Sequence, residues 1–168
     1  MSGRVLVAGI GNIFLGDDGF GVAVASRIVG EALPEGVKVG DFGIRSMHLA
    51  YELLDGYDSL VLIDAVGRGD PPGTLTVLEP ELDGPPTGDA ARLGVMDAHT
   101  MHPEAVLNML GTLGGHVGRV LVVGCEPALI GEYLGLSAEV EGAVEQAVGI
   151  VMDLVAELST STRKEGSS

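Results

Sequence analysis

Several things that would mark an extracellular, membrane or nucleic-acid-binding protein are scarce in this chain. A single cysteine, Cys125, among 168 residues leaves no internal disulfide to form and fits a reducing compartment. Tryptophan is absent and Phe and Tyr number three each, which argues against an aromatic-rich β-sandwich core. Only 9 Lys and Arg stand against 24 Asp and Glu, a net charge of −15, so there is no basic footprint for nucleic acid or an anionic membrane. No apolar run is long enough to span a bilayer. The opening MSGRVLVAGIGN breaks at Gly9 and Gly11, as a strand does and a targeting segment does not. The expectation is a cytoplasmic chain with no nucleic-acid or membrane partner, whose acidity leaves room for a cation or for a basic region on another protein.

What is present is Val, Leu, Ala and Gly, the composition of a buried parallel sheet covered by helices. The length fits one domain, and apolar runs alternate with helical periodicity, which implies βαβ units. Strands are expected at RVLVAG (Arg4–Gly9), VKVGD (Val37–Asp41), SLVLIDAV (Ser59–Val66), TLTVLE (Thr74–Glu79) and RVLVVG (Arg119–Gly124). The third is apolar on both faces and belongs at the centre. The fourth follows a turn, GRGDPPG, too short for a crossover helix, so it is the candidate for an antiparallel edge strand. Helices are expected over Asp18–Leu33, Ser46–Leu54, His102–Leu110 and Ser137–Leu158, with a long loop at Pro80–Val95. The domain is expected to end at Leu158, and the polar segment Ser159–Ser168 to be a disordered tail.

Open α/β sheets bind ligands beyond the carboxyl ends of their strands. The polar residues there are Asn12, Asp17 and Asp18 after the first strand, Asp41 after the second, Asp64 ending the third, and Cys125 and Glu126 after the fifth. His99 and His102, in DAHTMHPEA, enter the third helix near the same edge. Asp64 is the most informative, because an unpaired carboxylate in a central strand is costly to bury. Taken alone it fits equally well as an acceptor for backbone N–H groups of the next loop. Together with acids at two neighbouring strand ends and a histidine pair, a cation site is the better reading. Two carboxylates and one imidazole suit nickel, zinc, iron or manganese and leave coordination positions open. Asp18, Asp64 and His99 are thus candidates for an incomplete metal site.

Other motifs carry less. AGIGNIFLGDDGFG resembles a dinucleotide loop, but Phe14 stands where the third glycine of GxGxxG belongs, and two adjacent aspartates oppose a pyrophosphate. Cys125 would need a histidine within reach to act as a nucleophile, and a buried thiol is the commoner case. His48 and His116 read as structural, and RGD at Arg68–Asp70 as turn chemistry.

The blocks VLVAGIGNIFLGDDGFGVAVASRI, GDFGIRSMHLAYELL, LVLIDAV and MDAHTMHPEAVL resemble, in order and in register, those of the nickel–iron hydrogenase maturation endopeptidases. The resemblance implies a three-layer α/β/α sandwich around a twisted, mostly parallel five-stranded sheet. It also implies an enzyme that removes the C-terminal extension of a hydrogenase large-subunit precursor after nickel insertion. The nickel, carried by that substrate, would be recognised through Asp18, Asp64 and His99; zinc or cadmium would be able to stand in its place. Asp41 matches a family aspartate after the second strand, which implies a part in substrate handling or catalysis, with general base as one role. The chain departs from many relatives in having Asp18 where they have Glu, and in Gly43–Arg45 where they have Gly-Thr. The glycines around Asp18 are expected to give room to a bulky protein substrate and to permit positive φ. Two rival readings are a nickel-checkpoint protein without hydrolysis and a hydrolase with a permanent metal of its own.

Overall fold

The run VLVAGI buries every one of its residues as β1 (Val5–Ile10), which only a strand covered on both faces can do. The computed structural model describes residues 4–44, 46–79, 103–132 and 134–166. After β1 come two single 3-10 turns, Ile13–Leu15 and Asp17–Gly19, and then α1 (Phe20–Ile28) and β2 (Val37–Gly43). They are followed by α2 (Ser46–Leu53), β3 (Ser59–Ala65), β4 (Leu75–Leu78), α3 (Pro103–Thr112), β5 (Arg119–Cys125) and α4 (Ala138–Gly166).

The sheet order is β2-β1-β3-β5-β4. The first four strands in that order run parallel, and β4 pairs antiparallel with β5, Leu75 opposite Cys125. Period-two alternation divides the core between the two faces. Val5, Val7, Val61, Ile63 and Val123 meet Phe20 and Val24 of α1 and Val144 and Val151 of α4. Leu6, Leu60, Leu62 and Val120 meet Leu49 and Leu53 of α2 and Leu110 of α3. This is the expected three-layer sandwich, with β3 at its centre and buried along its whole length. Among the described residues, no helix is long and apolar enough to cross a membrane.

Several boundaries differ from the sequence expectation, those of the first and last helices for identifiable reasons. The first helix proper begins at Phe20 rather than Asp18, because Gly16 (φ 65°, ψ −123°) interrupts the backbone and Asp17–Gly19 restart it as a 3-10 turn. It ends at Ile28 rather than Leu33, where Gly30 and Glu31 donate to carbonyls only three residues back. The last helix does not stop at Leu158 but runs on to Gly166, through the segment expected to be disordered; no Gly or Pro occurs between them to break it. The expected loop Pro80–Val95, and the first residue expected of the third helix, His102, lie outside the described residues.

From β1 the chain goes to β2 on one side and then to β3 on the other. The carboxyl ends of β1 and β3 therefore flank a topological switch point, where such sheets open a crevice. The loop from Gly11 to Gly19 sits there.

Candidate active site

The glycines of this loop set its shape. Gly11 (φ +125°) donates its N–H to the carbonyl of Gly43 at 2.9 Å, tying the end of β2 to the loop. A Cβ at Gly11 would lie 1.9 Å from the Asp18 carbonyl oxygen and 3.5 Å from Asp64 Oδ1, so Asp18 and Asp64 border the same bare backbone. Asn12 accepts from the Phe14 N–H at 2.9 Å, capping the first 3-10 turn, and its own N–H donates to Asp18 Oδ2 at 2.7 Å. Asp18 is fully buried and Asp64 is 7% exposed, with Oδ1 accepting from the Ala65 N–H at 2.8 Å. Gly19 and Gly21 do not have the positive φ expected of them. They are glycines because a Cβ at Gly19 would meet Ile13 Cα at 3.0 Å, and one at Gly21 would meet the Ile63 carbonyl at 1.9 Å and that of Ile10 at 2.4 Å. The start of α1 lies backbone to backbone on the sheet.

Asp41 stands at the same sheet edge, opposite Gly9 on the neighbouring strand, just before a register shift at Gly9/Ile10. It is exposed, and alternation places it with Val37 and Val39 on the α1 side, whereas Asp64 follows Leu60 and Leu62 on the α2–α3 side. His99 and His102 lie outside the described residues. The structure thus brings Asp18 and Asp64 together around Gly11, with Asp41 one strand away on the opposite face. Among the described residues no three His, Cys, Asp or Glu side chains form a metal-holding group. Asp18 and Asp64 supply hard oxygen donors that fit a divalent cation, and such a set needs donors from elsewhere to complete it.

Two acids at this edge have roles that local sequence pattern does not reveal. Asp17, fully buried, accepts four hydrogen bonds from the segment between β5 and α4. Oδ2 takes the N–H groups of Ala128 (2.8 Å) and Leu129 (2.9 Å) and the Ser137 hydroxyl (2.9 Å), and Oδ1 takes the Ser137 N–H (2.7 Å). Ser137 Oγ in turn accepts from the Val140 N–H at the start of α4. Burial pushes the Asp17 carboxyl up, but the hydrogen bonds from Ser137, Leu129 and Ala128 outweigh it and hold the group below its ordinary value. Glu126 Oε1 accepts the N–H groups of Arg68 and Asp70, each at 2.8 Å, and so fixes the turn after β3. The RGD tripeptide is thereby accounted for by turn structure. The partners of Asp17 are more than 110 positions away in the sequence.

Cys125 is fully buried in the core on the α1–α4 side. Burial, and then the negative charges of Asp17 and Glu126, push its thiol up to about 11. At neutral pH it is a protonated packing group and not a nucleophile. His48 and His116 are exposed and distant in sequence from the loop.

The fold that carries this switch point is shared with solved maturation peptidases. The hydrogenase maturating endopeptidase HybD of Escherichia coli superposes with a TM-score of 0.73 at 27% identity, covering 92% of this chain and 93% of that one. The hydrogenase 2 maturation peptidase of a Thaumarchaeota archaeon gives 0.69 at 35% identity, over 91% and 98% of the two chains. The hydrogenase expression/formation protein HupD of Rhizobium leguminosarum is 30% identical over 169 aligned positions, 98% of this chain and 81% of the relative. The family model described as hydrogenase maturation protease matches residues 22–154. The chain belongs to the hydrogenase maturation protease family. It is an endopeptidase of hydrogenase maturation.

Proposed function

We propose that this enzyme removes a C-terminal extension from a nickel–iron hydrogenase large-subunit precursor once nickel is in place, and that the nickel is the element it recognises. Asp18 and Asp64, joined by His99, are assigned to hold the substrate-borne nickel, the remaining positions being filled by donors of the precursor. The single observation that carries this reading is that two buried aspartates border Gly11 at the switch point, Asp64 through its carboxylate and Asp18 through its main chain, with Asp18 Oδ2 held by the N–H of the next residue, Asn12. Hydrolysing an amide requires a polarised carbonyl, an activated water and a proton for the leaving amine. Asp41, exposed at the end of the edge strand β2, is the carboxylate assigned to water activation or to handling the peptide being cut.

The test is mass spectrometry of the large-subunit precursor after incubation with the enzyme. The expected result is loss of a C-terminal peptide from nickel-loaded but not nickel-free precursor, and a fall of at least about a hundredfold with Asp18→Asn or Asp64→Asn. Circular dichroism of both variants should remain that of a folded α/β protein. Cleavage of nickel-free precursor at the same rate, or full activity of both variants, refutes the reading. The isolated enzyme is expected to retain no stoichiometric nickel, which elemental analysis checks.

A further inference from the structure

Phe14, one of three phenylalanines in the chain, is 64% exposed beside the buried Asp17 and Asp18. Its neighbour Ile13 is 46% exposed, and across from this turn the segment after β5 exposes Leu129 (49%), Ile130 (46%) and Leu134 (76%). The two segments are far apart in sequence but are one surface. Gly16 and Ile130 form an antiparallel bridge, the Asp17 N–H donates to the Leu129 carbonyl at 2.9 Å, and the Gly131 N–H to the Leu15 carbonyl at 3.3 Å. The four hydrogen bonds accepted by Asp17 lock them together from below, and the later segment returns to that carboxylate at Ser137. A fully buried, fully bonded carboxylate here supports a loop whose large apolar side chains face outward, which is the opposite of what core stability asks for.

We infer that this apolar face is the docking surface for the body of the hydrogenase large-subunit precursor. Three features favour that occupant. The face is continuous with the loop that carries Asp18, so a protein seated on it is at the carboxylates. It is apolar, as the centre of a protein interface is and a peptide-backbone site alone is not. Residues 12–19 and 125–137 contain no Lys, Arg or His, Glu132 is exposed between Ile130 and Leu134, and the whole chain carries −15; the partner surface is therefore apolar with basic residues at its rim. The inference rests on the protein-substrate reading above and adds where that protein binds, independently of the nickel.

The experiment measures steady-state cleavage of nickel-loaded precursor by the full chain and by Phe14→Asp and Leu134→Asp, with affinity for nickel-free precursor measured alongside. Each variant is expected to raise the half-saturating precursor concentration about tenfold and to weaken binding of nickel-free precursor equally, since charging a buried apolar anchor typically costs a factor of that order. Turnover at saturation is expected to stay within about twofold of the wild type. Half-saturation within twofold of wild type for both variants overturns the docking face. So does sedimentation showing that the wild type is a dimer and the variants monomers, because the face would then belong to a second copy of the chain. If nickel loading proves irrelevant to cleavage, the nickel-recognition reading fails, while the affinity series still decides the docking face.

Discussion

Asp17→Asn keeps the size of the side chain and changes only what it can accept. With its amide oxygen in the place of Oδ2, Asn retains the bonds from Ala128, Leu129 and the Ser137 hydroxyl, each reduced from charge-assisted to neutral strength. Its NH2 then faces the Ser137 N–H, which at 2.7 Å had donated to Oδ1, and donor opposes donor. Weakening three bonds and losing a fourth outweighs the relief of no longer burying a charge, and the net loss is about 2–4 kcal/mol. That is a large share of the roughly 5–15 kcal/mol by which a domain is stable. Urea unfolding followed by circular dichroism at pH 7 measures it. The pH dependence follows from the direction of the shift. Asp17 is held below its ordinary value of 3.8 in the folded protein, so its contribution is present above that value and is lost as pH falls through the folded-state value. The gap between wild type and variant should be full at neutral pH and close in acid below 3.8. A variant within about 0.5 kcal/mol of wild type at pH 7 would refute the clamp, since that is the scatter of an unremarkable surface substitution.

Gly21→Ala places a methyl group where the carbonyls of Ile63 and Ile10 stand, so α1 must lift from the sheet; soluble protein with a wild-type melting curve would contradict this. Cys125 is expected to resist alkylation at pH 8 until the protein unfolds, because burial and the neighbouring Asp17 and Glu126 raise its thiol to about 11. Cys125→Ala is expected to cleave precursor normally, and either rapid labelling of native protein or loss of cleavage would count against the assignment.

Most of the fold is legible in runs of residues. SLVLIDA is apolar at every position but Ser59 and Asp64, and it is the central strand; TLTV alternates after a short turn, and it is the antiparallel edge. These are local signals, and the sheet order follows from them through the parallel crossovers. The limits of α1 were less legible, because apolar spacing continues past Ile28 whereas helical hydrogen bonding does not, and because the turn Asp17–Gly19 depends on the backbone of Gly16. Of the candidate site, strand ends place Asp18 and Asp64 at the switch point along with Asn12 and Asp17, and the structure adds that Asp18 and Asp64 both border Gly11. Asp41 was placed at the correct edge, but the face it occupies depends on register and not on composition. The work of Asp17 and Glu126 was illegible because their partners lie 111–120 and 56–58 positions away, a distance no local window spans.

The bare contact between Gly21 and the strands beneath it has a consequence for association. A glycine-rich loop usually surrenders conformational freedom when its ligand arrives, and that ordering cost is subtracted from affinity. Here a Cβ at Gly9 would lie 2.3 Å from the Gly21 carbonyl, and Gly9, Gly11, Gly19 and Gly21 serve close packing. The freedom is surrendered at folding, so the carboxylate of Asp18 is held in one place before any partner meets it. If Asp18 meets a cation as proposed, such a mount would discriminate by geometry, because a cation at the wrong depth in its carrier would gain nothing from a loop that cannot reach out to it.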